Sequence, residues 1–379
     1  MEKWMYGLGK DPDASAALLK ELGFTTIAGG VSCVEPALRQ GMDIWLFSGC
    51  YRGPAFKGEE WLAQDVAGET REWFGSTCPT REEVRQYHLE SVARLARTPG
   101  IRGIILDGCR FASPSSGSTE DAFLTCFCDS CMRKAKKMGF DPDAMKRSVS
   151  ALYEGIHGKS VDILPYAPGL EEWLQFRRAA TTEHLLEFCR VVHREGETLG
   201  RDLKAGIFIF APSLARMVGQ SYEDLKGNMD MYSPMLYRCY QDPNGPACLN
   251  VEMADLLRML QKASCLSAGQ RKDLLRIFSE LDPEEEFPKE EFISRGKITP
   301  EMIFRGFRPE ILQKETASAR RRIGKTLLAP IIQLDDPVLY DATLETFKGG
   351  ADAVSYFLYK DEWMEEKQQD FQRLQRITG

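Results

Sequence analysis

The feature that most restricts the fold is an alternation. Eight short apolar runs, separated by helical stretches, recur along most of the 379 residues: 4–7, 24–28, 43–47, 101–106, 205–210, 229–232, 327–333 and 353–358. Short runs with little polar alternation read as strands buried on both faces, as in a parallel sheet. Eight such βα units predict an α/β protein closed into a (β/α)8 barrel, a TIM barrel, rather than an open doubly wound sheet. The glycine patterns that cradle dinucleotides or nucleoside phosphates are absent, and Gly7-x-Gly9 alone is too weak to count.

A single barrel then spans 1–379, with two stretches longer than a minimal barrel needs. One is 112–168, between the fourth and fifth strands. The other is 243–320, between the sixth and seventh, and it holds the acidic run 282–286. An apolar fraction of 43% supports a sizeable core, and a net charge of -7 argues against nucleic-acid or anionic-membrane partners. No apolar run is long enough to cross a bilayer. The N-terminus enters a strand-like segment without a signal-peptide core, which points to the cytosol. Eleven cysteines, an odd number in a large chain, fit reduced thiols and a metal cluster better than disulfides.

The chemistry concentrates between Gly103 and Cys131. The fourth strand ends in Asp107-Gly108-Cys109-Arg110-Phe111, and a carboxylate at the carboxyl end of a barrel strand is where such folds keep their chemistry. A Ser-rich loop follows, then Cys126-x-Cys128-x-x-Cys131. Three cysteines so spaced offer three corners of a tetrahedral zinc site, and four thiolates would leave no open position, so the site is structural. Cys78, just before the helix that leads back to the fourth strand, is the expected fourth ligand. Cys109 is the rival. The bland alternative is four unrelated thiols.

These residues carry a resemblance. Cys78-Pro79-Thr80, the helix containing Tyr87, the strand ending in Asp107 and the C-x-C-x-x-C trio resemble, in that order, the family 42 β-galactosidases and the looser group of glycoside-hydrolase-like barrels around them. The resemblance implies a structural zinc on Cys78, Cys126, Cys128 and Cys131. It also implies a carbohydrate substrate. The chain departs from family 42 at the end of the fourth strand: that family has Asn-Glu there, with the Glu as acid/base, and here Gly108-Cys109 follows Asp107. Asp107 therefore becomes the candidate, as in the looser group.

Glycoside hydrolysis normally takes two carboxylates, one protonated and one charged. Asp107 is the first; the ordinary reading is a salt bridge to Arg110 or a helix cap. Asp335, beyond the seventh strand, is the favoured second, although it and Asp336 also suit an N-cap before Pro337. Glu362 and Glu35 rank lower. Arg110, Tyr232, Tyr237, Gln333, Tyr356 and Trp45 are the expected substrate contacts, through ring stacking and hydrogen bonds; ordinary barrel packing is the competing reading for the aromatics. Arg52 is a further donor. None of the four histidines stands at a strand end. The expectation is a glycosidase acting on a small glycoside or oligosaccharide. The rivals are a catalytically silent carbohydrate-binding barrel and a barrel lyase or isomerase. Association into a homo-oligomer is compatible with such a barrel.

Overall fold

The computed structural model describes residues 2–240, 248–286 and 299–378. Eight parallel strands close into a barrel: β1 (Glu2–Tyr6), β2 (Thr26–Gly29), β3 (Asp43–Gly49), β4 (Gly103–Asp107), β5 (Lys204–Phe210), β6 (Met231–Met235), β7 and β8 (Ala353–Phe357). β7 comes in two pieces, Leu327–Leu328 and Ile331–Gln333. Pro330 lies in the gap, where it has no N–H to give to a ladder. Both pieces pair with β6, and the second also pairs with β8, which completes the ring.

Register decides what faces the axis, because neighbouring strands in register share a side and direction alternates along each strand. Trp45 pairs with Gly103, Phe47 with Ile105 and Gly49 with Asp107. Near the floor the Trp45 indole fills the space that two glycines leave. A Cβ on Gly103 would stand 2.6 Å from the indole and 2.2 Å from the Lys204 carbonyl oxygen, and one on Gly206 would stand 3.2 Å from the same ring. Above it lies an aromatic layer. Tyr6 packs on Phe47, Phe208 and Phe357 with ring centroids 5.1, 5.6 and 5.0 Å apart. The barrel is thus a filled core.

Helices cover the outside. Pro12–Glu21 is started by Asp11, whose side chain accepts from the Ala14 amide, with proline in the first turn. Glu82–Ala96 returns the chain to β4, and the long Ala167–Thr198 returns it to β5 and packs beside it. Between β4 and the long helix the 112–168 stretch holds the helices Asp129–Lys137 and Pro142–Ile156. Residues 243–247 and 287–298 of the second long stretch lie outside the described residues. Its described part includes the helices Leu249–Lys262, Ala268–Phe278 and Glu310–Ile323. No helix is long and apolar enough to cross a membrane among the described residues.

Gly103→Ala tests the axial packing. The new methyl cannot avoid a backbone oxygen, so the variant should lose about 1–3 kcal/mol of stability, the usual cost of overpacking. Chemical denaturation reads this directly; an unchanged midpoint would show that the floor has slack.

Candidate functional site

Asp107 closes β4 on the inward parity, immediately above the aromatic layer, and part of its surface is open. Burial pushes its carboxyl up from the usual range, while the charges of Arg52 and Arg110 pull it back. Among the described residues it forms no ion pair within 4.0 Å. The Tyr6 hydroxyl is pushed up by burial and by the Asp107 charge, and Tyr237, raised chiefly by burial, feels Cys248, Tyr6 and Asp107. Tyr237 also packs on Phe357, 5.2 Å between centroids. One carboxylate, two phenols and two guanidiniums therefore meet over the barrel axis.

The guanidinium of Arg110 lies 4.9 Å above the Phe210 ring, and its Nη1 donates to the Phe111 carbonyl. Its strongest charged neighbour is Glu252, ahead of Asp107. Glu252 is buried on the helix Leu249–Lys262 and accepts from Ser113 Oγ at 2.6 Å and the Ser115 amide at 3.2 Å. Burial raises its carboxyl, against Arg110 and the two serines. Glu252 thus ties the helix after β6 to the loop after β4. Sequence reading missed it; the available signal was a carboxylate beside the apolar set Leu249, Leu256 and Met259. Tyr6 was also missed, although it ends the first strand on the parity of Trp4.

At the end of β7 the Gln333 carboxamide oxygen accepts from the Cys239 amide at 3.2 Å. Asp336 is buried, pairs with Arg238 at 2.5 Å and accepts from the Val338 amide, so it holds a turn. Asp335 is different. It is half-buried, its Oδ1 has no hydrogen-bond partner, and burial and the neighbouring Asp336 raise it. The charges acting on it most are those of Asp336, Lys360 and Lys367.

Three expected substrate contacts lie elsewhere. Trp45 sits at the barrel floor and lines a cavity of about 670 Å³ with Arg102, Lys204 and Asp230, at the opposite end from Asp107. Tyr232 and Tyr356 are on the outward parity. Tyr232 stacks on Tyr222, 5.7 Å between centroids, and donates to its carbonyl. Tyr356 packs on Phe24 and on Phe371 of the last helix, with its hydroxyl 3.1 Å from Thr343 Oγ1. A strand's aromatic content does not tell which face each ring takes; the pleat does. Glu35 and Glu362 are exposed.

The four cysteines of the metal reading do meet. Cys78 Sγ lies 3.4, 3.5 and 3.6 Å from the sulfurs of Cys128, Cys131 and Cys126, and all four are buried. Tetrahedral zinc–sulfur bonds of about 2.3 Å would put neighbouring sulfurs about 3.8 Å apart, so this set fits a four-thiolate ion with a small expansion. Burial pushes Cys126 and Cys131 up, while hydrogen bonds from the other three thiols hold Cys128 well below the thiol range. The Gln64 amide donates to Cys126 Sγ, and Thr80 Oγ1 stands 3.1 Å from Cys131 Sγ. Such an outer layer orients the ligands of a metal site. Cys109 is not in the group: its thiol contacts the Tyr51 hydroxyl at 3.3 Å.

Among known proteins, no family profile and no curated sequence matches the chain. Solved structures do. A β-galactosidase from the psychrophilic Marinomonas ef1 aligns over 100% of this chain and 60% of its own, with a TM-score of 0.59 and 13% identity. A catalytic mutant of a GH42 β-galactosidase from G. stearothermophilus aligns over 99% of this chain and 57% of its own, with a TM-score of 0.54 and 12% identity. The catalytic domain of a β-amylase from Paenibacillus polymyxa aligns over 97% of both chains, with a TM-score of 0.53 and 12% identity. The chain thus spans little more than half the length of the β-galactosidases. The resemblance to family 42 holds at the level of fold.

The raised Asp107 has a consequence for stability. A carboxyl whose folded value lies above its unfolded value, about 3.9, favours folding less once pH exceeds the folded value, and that cost disappears below the unfolded value. Asp107→Asn should therefore raise the melting midpoint at neutral pH, with the gain shrinking as pH falls toward about 4. Melting scans across this range check it; a variant less stable at neutral pH would mean that the carboxylate is well paired.

Proposed function

We propose that this protein is a glycoside hydrolase acting on a small glycoside or oligosaccharide. The observation that carries the reading is the Asp107 carboxylate: it ends β4 on the inward parity, its charge acts on the Tyr6 and Tyr237 phenols, and among the described residues no ion pair consumes it. The fold shared with β-galactosidases and a β-amylase catalytic domain supports it.

In this reading Asp107 is the charged member: burial raises it, but Arg52 and Arg110 pull it back and no carboxylate is among the charges acting on it. Asp335 is the acid: burial and then the Asp336 charge raise it, against Lys360 and Lys367. Both are raised by burial, and the neighbouring Asp336 charge, which acts on Asp335 alone, is the difference that would divide acid from base. An oxocarbenium-like transition state would be stabilised by the Asp107 charge, while Asp335 would deliver its proton to the departing oxygen. Tyr237 offers a ring face and a hydroxyl to the sugar, and Gln333 and Arg110 offer N–H donors. The cytosol is the compartment that eleven cysteines with no disulfide among them suit.

The ion we assign to Cys78, Cys126, Cys128 and Cys131 is zinc, in a structural role. Its support is a charge balance. Four thiolates on a divalent zinc carry a net charge of minus two, which a buried site must offset. Arg177 is fully buried, donates to the carbonyl oxygens of Thr125, Phe123, Ala112 and Met217, and feels the charges of Cys126 and Cys131. It is a cation near the cluster with no carboxylate of its own among the described residues. When bound, the zinc would fasten the loop after β4 to the start of the helix Glu82–Ala96.

One observation favours the second reading, a carbohydrate-binding barrel without turnover. Where family 42 has its acid/base Glu, Cys109 turns behind the strand toward Tyr51. Activity of the two Asn variants separates the readings. On a panel of aryl glycosides, Asp107→Asn and Asp335→Asn should each lower kcat by roughly 10²–10⁴-fold. Saturable binding with no hydrolysis by the wild type would support the binder, and retained activity in Asp107→Asn would remove that residue from the mechanism. For the metal, the purified chain should carry tightly held zinc whose chelation lowers the melting midpoint; an unchanged midpoint after complete removal would refute the structural role.

A further inference from the structure

A second cluster of metal-binding side chains lies directly behind the candidate catalytic strand end. Cys50 follows β3, His88 is on the helix Glu82–Ala96 and His184 on the helix Ala167–Thr198. One ligand atom from each lies within 4.8 Å of the others, and all three residues are buried. His88 Nδ1 is 3.0 Å from His184 Nε2 and 3.9 Å from Cys50 Sγ. Zinc–nitrogen bonds of about 2.0–2.1 Å and a zinc–sulfur bond of about 2.3 Å would set these separations at about 3.3 and 3.6 Å. Both observed values lie within a few tenths of an ångström of that geometry.

The same atoms make a poor hydrogen-bonded cluster. Only one of the two facing ring nitrogens can donate to the other. The outer nitrogens, His88 Nε2 and His184 Nδ1, are buried with no hydrogen-bond partner. These outer atoms are not the ones an ion would touch; the case for an ion rests on the convergence of the inner nitrogens and the Cys50 sulfur. An ion would use both inner lone pairs at once. The outer His184 Nδ1–H would then face the Glu187 carboxylate, 3.8 Å away, an arrangement that orients many metal-bound imidazoles.

We propose that Cys50, His88 and His184 form a second metal site, for a borderline-to-soft divalent ion of the zinc class, separate from the four-cysteine site. Binding would displace the Cys50 thiol proton to solvent. Burial and the neighbouring Cys109 push the Cys50 thiol up, and the charge of Arg85, which pairs with Glu183 at 2.7 Å, pulls it back only in part, so the geometry and not the titration of this thiol carries the site. Cys109 stands against the group without entering its mutual reach, which leaves two imidazoles and one thiolate as the core set. The site's place gives it a positioning role: the Cys50 amide donates to the Asp107 carbonyl at 2.8 Å. An ion there would lock the ends of β3 and β4 to two helices at the residue that carries the carboxylate.

The test is metal counting on the intact chain loaded with excess Zn(II) and desalted. Two tightly held zinc ions per chain are expected, with Cys50→Ser and His184→Gln each retaining one. A single ion in the wild type, or two in both variants, would overturn the proposal. Should the variants fail to fold, zinc X-ray absorption of the loaded wild type decides: imidazole back-scattering is expected, and an all-sulfur shell refutes the site.

Discussion

A buried guanidinium holds together the end of this barrel at which the strands finish. Arg177 projects from the helix Ala167–Thr198 into the loop after β4, and its planar donors satisfy carbonyls at Ala112, Phe123, Thr125 and Met217. Its face lies 3.9 Å from the Trp173 ring centroid. A cation taken out of water needs both hydrogen bonds and a countercharge. The carbonyls supply the first; with the proposed zinc bound, the thiolates of Cys126 and Cys131 would supply the second. The loop can therefore run inside the protein, where irregular backbone is normally penalised. Because Asp107 and Arg110 begin this loop, everything chemical at the barrel mouth depends on that arrangement.

The second constraint is the filled barrel. Trp45 at the floor and the Tyr6, Phe47, Phe208 and Phe357 layer above it leave no interior for a ligand. In the proposed function a substrate would sit on top of the aromatic layer, beside Tyr6 and Tyr237. Phenols raised by burial stay protonated and can donate hydrogen bonds to sugar hydroxyls. The two arginines keep the carboxylate they surround usable without neutralising it. Glu252, reaching in from the helix after β6, balances the charge of Arg110 and so spares Asp107 from doing it.

Much of this was legible in the sequence, and the limits have physical causes. The barrel could be read because strands buried on both faces must be short apolar runs, and eight of them leave few alternatives. The four-cysteine cluster could be read because a metal imposes spacing on its ligands; Cys78, 48 residues from Cys126, lies at the helix start that faces the trio. Direction within a strand could not be read where both parities are apolar. Tyr232 and Tyr356 differ from Tyr6 by a single step of the pleat, and hydropathy does not record that step. Trp45 was misplaced for another reason: two glycines on neighbouring strands open the floor to it, and they are far away in the chain. Glu252 lies in a stretch where helical periodicity reads as packing, and its partner Ser113 is 139 residues away.

The central claim is that the carboxylate ending β4 faces a sugar. A crystal structure with a bound iminosugar tests it most directly, since the ligand's cationic nitrogen seeks the charged carboxylate of a glycosidase. The account predicts that nitrogen within hydrogen-bonding distance of Asp107, with the ring against Tyr237. A ligand bound away from the barrel mouth, or held there with Asp107 paired to Arg52 or Arg110 instead, would contradict it.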